Sequence, residues 1–270
     1  MKRGAVRTSF HDYQHALEFD QRAGKSDIRA SLGLRLIEAM ELKGQEWVLD
    51  IATGTGRFAK PVSQHLKGGK VVGVDEAPAM LSVGREKTKQ EPIPGYLQIG
   101  GDAQVLPFRS EIFDRAFVAF SLHHFSSPSL MVQETFRVLR SGGKFAILDP
   151  VVLEPEDSVD QALIDLVNQV FRRSHGENFR FCSGREIREL LARAGFQISR
   201  ADLHSFSFDQ DGMEGVPTGR HWLEVAEELQ TGSDKLRERL ERSYFRYQKK
   251  GSKRHVKGKF SYALVCGERR

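Results

Sequence analysis

Apolar positions along the chain follow two periods, and the places where one gives way to the other mark its elements. Between Ser26 and Met40, the residues Ile28, Leu32, Leu36, Ile37 and Met40 recur at the spacing of one helical face, and "EWVLDI" then forms an apolar run of strand length. Helix therefore precedes the first strand. The alternation continues with a helix near 57–67, a strand "KVVGVD", a helix opened by Pro78 and a strand "GYLQIG". "RAFVAF" follows as a strand, a helix covers Ser127 to Leu139, and "GKFAILD" is a fifth strand. Strands and helices alternating at these lengths predict a parallel sheet with helices on both faces, joined by right-handed crossovers.

Beyond Pro150 the regular alternation stops. "DSVDQALIDLVNQVFRR" is an amphipathic helix through Val159, Leu163, Leu166, Val167 and Val170, with an apolar face that must cover something. Ser183 followed by Glu186 predicts a capping box for "GREIRELLARAG", a helix closed by Gly195. Strand character resumes in "FQISRADLHSF", two helical stretches are expected near 221–247, and "KFSYALVC" is the final strand. No internal repeat or low-complexity segment interrupts the chain.

Composition narrows the class. At 270 residues, 39% of them hydrophobic and 29% charged, the chain can bury one sizeable core or two small ones. No stretch approaches the length of a membrane span, and "MKRGAVRTSFHDYQ" turns polar before a signal-peptide core could form, so a cytoplasmic protein is the expectation. Two cysteines, Cys182 and Cys266, can build neither a disulfide framework nor a thiolate metal site; both are expected as buried thiols, and no metal is expected. Charge is unevenly spread. Residues 235–260 hold eleven Lys or Arg against two Glu, a net +9 within a chain of +5, which leaves −4 on the rest. Such a segment either faces a polyanion or is a solvated surface. With only Tyr244, Phe245, Tyr247 and Phe260 among its basic residues as stacking platforms, the solvated reading is preferred.

The chemistry concentrates in "LDIATGTGRFAK", residues 49–60. In an open parallel sheet, ligands sit beyond the carboxyl ends of the strands, and Gly54 and Gly56 allow a close backbone approach there. Gly54, Gly56 and Ala59 fit the G-x-G-x-x-G/A dinucleotide fingerprint, with Asp75 nineteen residues past Gly56. Asp50 argues the other way. Its charge at the mouth of the cradle would repel a pyrophosphate but would suit a ligand carrying an ammonium and a sulfonium.

The series Asp50, Ile51, Ala52, Thr53, Gly54, Thr55, Gly56 resembles the first motif of the class I S-adenosylmethionine-dependent methyltransferases, with alanine at position 52 where that family has its first glycine. "GVDEAPAML" is similar to the second-strand motif, and the resemblance implies that Asp75, beside Glu76, takes the ribose hydroxyls while Met80 lies against the adenine. "GDAQVLPF" resembles the third, implying Gly101, Asp102 and Ala103 around the adenine amino group. "AFSLHHF" and "VLRSGGKFAILD" resemble the fourth and fifth strands with their flanks, implying Ala119 and Phe120 at the cofactor by position. The nearest branch is that of the ubiquinone and menaquinone biosynthesis C-methyltransferases and similar small-molecule enzymes. To it also belong a Ser-His pair before a capped helix and a later Trp-Leu helix, here Ser174 with His175 and Trp222 with Leu223.

The resemblance implies a Rossmann-like α/β fold with a seven-stranded, mostly parallel sheet, helices on both faces, and a last strand running antiparallel between the fifth and sixth. Residues 1–270 are then one methyltransferase domain. It comprises an N-terminal lid over 1–25, with Phe10, His11, Tyr13 and Phe19 folding over the cleft, and a cofactor-binding core over 26–150. Cap helices over 151–182 and 208–256 cover the acceptor, and the last strand spans 257–268. The implied cofactor is S-adenosylmethionine and the implied acceptor a small molecule. If the acceptor must lose a proton, His124 and His175 are the candidate bases; of the adjacent pair His123 and His124, only one can face the cleft. Three other readings stay open: an RNA methyltransferase gripping phosphates with 235–260, a nicotinamide-dependent oxidoreductase, and a noncatalytic cofactor-binding protein.

Overall fold

Runs such as "VVGV" and "FAIL" have no polar alternation, so they can only be strands covered on both faces. The structure is a computed structural model that describes residues 9–23, 28–213, 216, 219–251 and 253–270. In it these runs form the middle of a sheet. The strands β1 (Trp47–Ile51), β2 (Lys70–Asp75), β3 (Tyr96–Gly100), β4 (Phe113–Ala119) and β5 (Leu139–Val152) pair in parallel. After them come β6 (Cys182–Ser183), β7 (Phe196–Asp211), β8 (Phe245–Lys250) and β9 (Lys253–Arg269). The order across the sheet is β3-β2-β1-β4-β5-β9-β7, with β9 antiparallel to both of its neighbours. This seven-stranded path is the expected one. Two short strands lie off it, β6 on β5 and β8 on β9.

Successive residues of a strand enter opposite layers. Val48, Val71, Phe117, Ala146 and Leu264 pack with Leu32, Leu36 and Met40 of α2 (Ile28–Met40) and with Val62 of α3 (Ala59–His65). Leu49, Val72, Ala116, Phe145 and Val265 face the other way, toward Met131 of α5 (Pro128–Val138) and Ile187 and Leu191 of α7 (Gly184–Arg193). Between these come α4 (Pro78–Gln90) and α6 (Ser158–His175), and before them α1 (Tyr13–Ala23). A third apolar cluster lies in the cap: Leu163, Val167, Val170 and Phe171 of α6 meet Trp222, Val225 and Leu229 of α8 (Gly219–Gln230), Leu240 of α9 (Asp234–Ser243), and Phe245 and Phe260.

Several boundaries differ from expectation. The helix expected to start at Ser26 is described from Ile28, since Ser26 lies outside the described residues, as do residues 1–8, 24 and 25 of the 1–25 segment. Residues 208–256 are not all helical: β7 runs on to Asp211, and the chain returns to strand at Phe245. Tyr244 and Tyr247 are three apart, as on a helix, yet Phe245 and Tyr247 are buried with Arg246 exposed between them, which is the period of a strand. The last strand starts at Lys253 rather than 257 because β8 forms a hairpin with it. Both cysteines are buried thiols. Among the described residues, no helix is long and apolar enough to cross a membrane.

Candidate active site

Strand β1 lies between β2 and β4, so its carboxyl end opens where crossovers leave in opposite directions, the usual crevice of such sheets. The turn after it is built on left-handed backbone: φ is +54° at Ala52, +56° at Gly54 and +81° at Gly56. A Cβ at Gly54 would approach Met80 Cε to 3.0 Å, and one at Gly56 would approach the Tyr96 ring at the same distance. The positive φ favours glycine at both positions, and the tight contacts add to that preference. Ala52 meets the same conformation with a side chain, which carries a steric cost that a glycine would not.

Two carboxylates contact this turn, and a third follows the end of β3. Asp50 is 2% exposed; the Thr53 hydroxyl donates to its Oδ2 at 2.6 Å and in turn lies 2.7 Å from the Tyr96 hydroxyl. Burial pushes the Asp50 carboxyl up to about 8; the Thr53 hydrogen bond opposes this and the nearby Asp75 adds to it. Asp75 accepts from the Gly54 amide through Oδ2 and from the Ala77 amide through Oδ1, both at 2.8 Å. Burial raises it as well, against those two amide bonds. Asp102, beyond β3, is exposed, and its Oδ1 accepts from the Gln104 amide at 2.8 Å.

The turn thus gathers Asp50, Ala52, Thr53, Gly54 and Gly56 at the tip of β1, with Asp75, Glu76 and Met80 beyond β2 and Gly101, Asp102 and Ala103 beyond β3. Ala119 ends β4. Phe120 follows at φ +54°, and its ring stacks on Phe58 at 5.9 Å, a core contact. Burial lowers the acidity of Asp50, so its ionised form is favoured by a cation lying beside it.

The histidines form a second group past β4. His123 is 6% exposed and its Nδ1 lies 2.7 Å from Oδ2 of Asp149, itself 1% exposed. The His124 ring lies 4.3 Å from that of His123 and 5.4–5.5 Å from those of Phe10, Phe179 and His175. His124 is thus in contact with Phe10, which precedes α1, while His123 is held by Asp149. His175, the last residue of α6, sits 4.7 Å from the His221 ring, and its Nδ1 lies 3.1 Å from the Phe171 carbonyl oxygen. Burial and the neighbouring imidazoles His123 and His175 push His124 well below an ordinary histidine; burial and His221 bring His175 down to about 4. Burial lowers His221 too, against its contact with Glu224. Among the described residues these side chains do not make a metal-ligand group.

Four residues of this region were not singled out in the sequence: Asp20, Tyr96, His221 and Asp149, the last of which partners His123. Asp149 carried a readable signal, an acid closing an apolar strand in the manner of Asp50 and Asp75. Tyr96 and Asp20 carried none, because each meets the turn from far along the chain. A groove of about 630 Å³ lies elsewhere, between α7, α9 and the β7–β9 pair; Arg188, Leu203, Arg242 and Lys259 are among its walls, and it shares no residue with the predicted site.

Comparison with known proteins agrees with this geometry. Residues 49–147 match the model of a family described as "Methyltransferase domain". Demethylmenaquinone methyltransferase of Thermus thermophilus is 33% identical over 115 residues, 43% of this chain and 52% of that one. The uncharacterized methyltransferase YcgJ of Bacillus subtilis is 31% identical over 144 residues, 53% of this chain and 55% of its own. These matches span about half the length of the curated relatives. The crystal structure of YcgJ superposes with a TM-score of 0.68 at 24% identity, covering 89% of this chain and 98% of that one, so the fold is shared.

Proposed function

We propose, from the match of residues 49–147 to a family described as "Methyltransferase domain", that the protein transfers a methyl group from S-adenosylmethionine to a small organic acceptor. The Gly54 amide carries this reading over a dinucleotide enzyme. It donates to the Asp75 carboxylate, whereas a pyrophosphate cradle needs that amide free and no carboxylate beside it. Two carboxylates at a glycine turn, with a third beyond β3, are acceptors that fit a ligand rich in hydroxyl and amino donors with a cationic end.

In this reading Asp75, with two lone-pair positions beyond those its amides occupy, accepts from the ribose hydroxyls. Met80 and Ala103 wall the adenine, Asp102 receives its amino group, and Asp50 and Thr53 face the methionine end. When bound, the cofactor supplies a methyl group on a positively charged sulfur, whose departure needs no protonation. The protein's part is then mainly placement: holding donor and acceptor in line can supply on the order of 7–11 kcal/mol of the barrier. The segment 9–23 acts as a lid excluding water, and the cap over 151–182 and 208–256 shelters the acceptor beside His124, His175 and His221. All three imidazoles are neutral near pH 7. Burial makes both His124 and His175 weak bases, the latter at about 4, so both suit hydrogen bonding to the acceptor, and they are the two candidates to take a proton if one must be removed.

An RNA acceptor is the weaker reading, because much of the basic segment is already neutralised. Arg239 pairs with Asp157 and Asp160, Arg237 with Asp234, Lys253 with Asp211, Arg254 with Glu227, and Lys257 with Asp209. Calorimetry tests the proposal: S-adenosylmethionine and S-adenosylhomocysteine should bind in the micromolar range and NADH should not. Tight NADH binding without S-adenosylhomocysteine binding would overturn it. Labelled S-adenosylmethionine with a metabolite extract would then identify the acceptor.

A further inference from the structure

Helix α1 packs on α4 beside the glycine turn, and contacts just before it and near its far end hold it there. Ala16, fully buried, packs in a small-residue contact with Ala77, Ala79, Met80 and Val83. At one end Phe10 meets His124 edge-on at 5.4 Å and Phe19 at the same distance. The other end is ionic. Asp20 is 8% exposed, and its Oδ1 accepts from the Thr55 hydroxyl at 2.5 Å, from Arg57 Nε at 3.0 Å and from Lys87 Nζ at 2.8 Å. The Arg57 guanidinium also donates to the Asp20 carbonyl oxygen. Thr55 and Arg57 belong to the glycine turn, and Lys87 to α4. One carboxylate therefore clamps the helix both to the glycine turn and to α4, which carries Met80.

We propose that Asp20 is a positioning residue that pins α1 over the glycine turn and so controls how fast the cofactor leaves. The proposal rests on the reading of the cleft as the cofactor site. Burial alone would raise the Asp20 carboxyl, but the hydrogen bonds from Lys87 and Thr55, with the charge of Arg57, outweigh it and hold it below the usual range. The clamp is thus charged at neutral pH, and its bonds are of the charge-assisted kind. Without the carboxylate, Thr55 loses its acceptor, and Arg57 and Lys87 face each other with no anion between them. The aromatic end at Phe10 is then left to hold the helix.

The test uses the full chain and a fluorescent S-adenosylhomocysteine analogue chased with unlabelled compound. In Asp20→Ala, dissociation should be faster by roughly tenfold or more, the scale set by losing a buried charge-assisted bond. Lys87→Met should move the rate in the same direction by less, and Asp20→Glu should restore part of it. Amide exchange of residues 13–23 should rise in Asp20→Ala while β1, β4 and β5 keep their protection, which separates loss of the clamp from loss of the fold. An unchanged dissociation rate in Asp20→Ala, with exchange of α1 raised, would overturn the gate. So would unchanged exchange of α1. If the parent itself binds no S-adenosylhomocysteine, the cleft reading falls and the gate with it, and the exchange arm then shows separately whether Asp20 holds α1 down.

Discussion

Burial raises the Asp50 carboxyl to about 8 against the pull of its Thr53 hydrogen bond, and Asp75 adds like charge. An acid whose folded value lies above its unfolded value contributes stability below the unfolded value, and that contribution is lost as pH rises through the folded one. The empty protein should therefore lose stability between about pH 4 and pH 8 on account of this group. Asp50→Asn should remove that slope and raise the melting temperature near pH 7.5 by on the order of 2 °C or more, while weakening S-adenosylmethionine binding. Thermal melts across this pH range, run beside calorimetry, measure both. A parallel slope in parent and variant would show that Asp50 is not the group responsible. At this scale much was legible: the glycines at 54 and 56 and the acids at 50, 75 and 102 are short-range signals at strand ends. The acidity of Asp50 was not, because desolvation depends on every atom packed around a group.

Helix α7 opens with the capping box read from Ser183 and Glu186: the Ser183 hydroxyl accepts from the Glu186 amide at 3.2 Å, and Glu186 Oε2 accepts from the Ser183 amide at 2.7 Å. Ser183→Ala should cost about 1 kcal/mol, a fall of roughly 2–4 °C in melting temperature for a domain of this size. Differential scanning calorimetry checks it, and an unchanged transition would mean that water replaces the cap fully. Capping is legible because it is settled within four residues. The strand β8 was not, since six residues containing Phe245 and Tyr247 fit a helix turn or a strand equally well until β9 supplies a partner. The same holds for β6, two residues long and defined only by its pairing with β5.

Over the whole molecule, the basic segment shows how charge in the sequence differs from charge on the surface. Among the described residues, Arg237, Arg239, Lys253, Arg254 and Lys257 of this segment face carboxylates supplied by α6, α8, β7 and the start of α9. Neutralising Lys249, Lys250, Lys253, Arg254, Lys257 and Lys259 together should accordingly leave S-adenosylhomocysteine affinity unchanged and RNA binding negligible. A gel-shift with total tRNA at near-physiological salt decides it. Sub-micromolar binding by the parent that disappears in the variant would make a nucleic acid the acceptor.

The alternation of strands and helices, both covered faces of the sheet, and the glycine turn with its acids are fixed by periods of two and 3.6 residues and by steric rules that act over a few positions. Those properties the sequence determined by itself. The extension of β7 and β9, the pairing of His123 with Asp149, the loss of acidity at Asp50 and the clamp of Asp20 on Thr55, Arg57 and Lys87 were decided only by the tertiary structure. Each depends on groups that lie tens of residues apart in the chain, and hydrogen bonds, ion pairs and desolvation take their strength from distance in space.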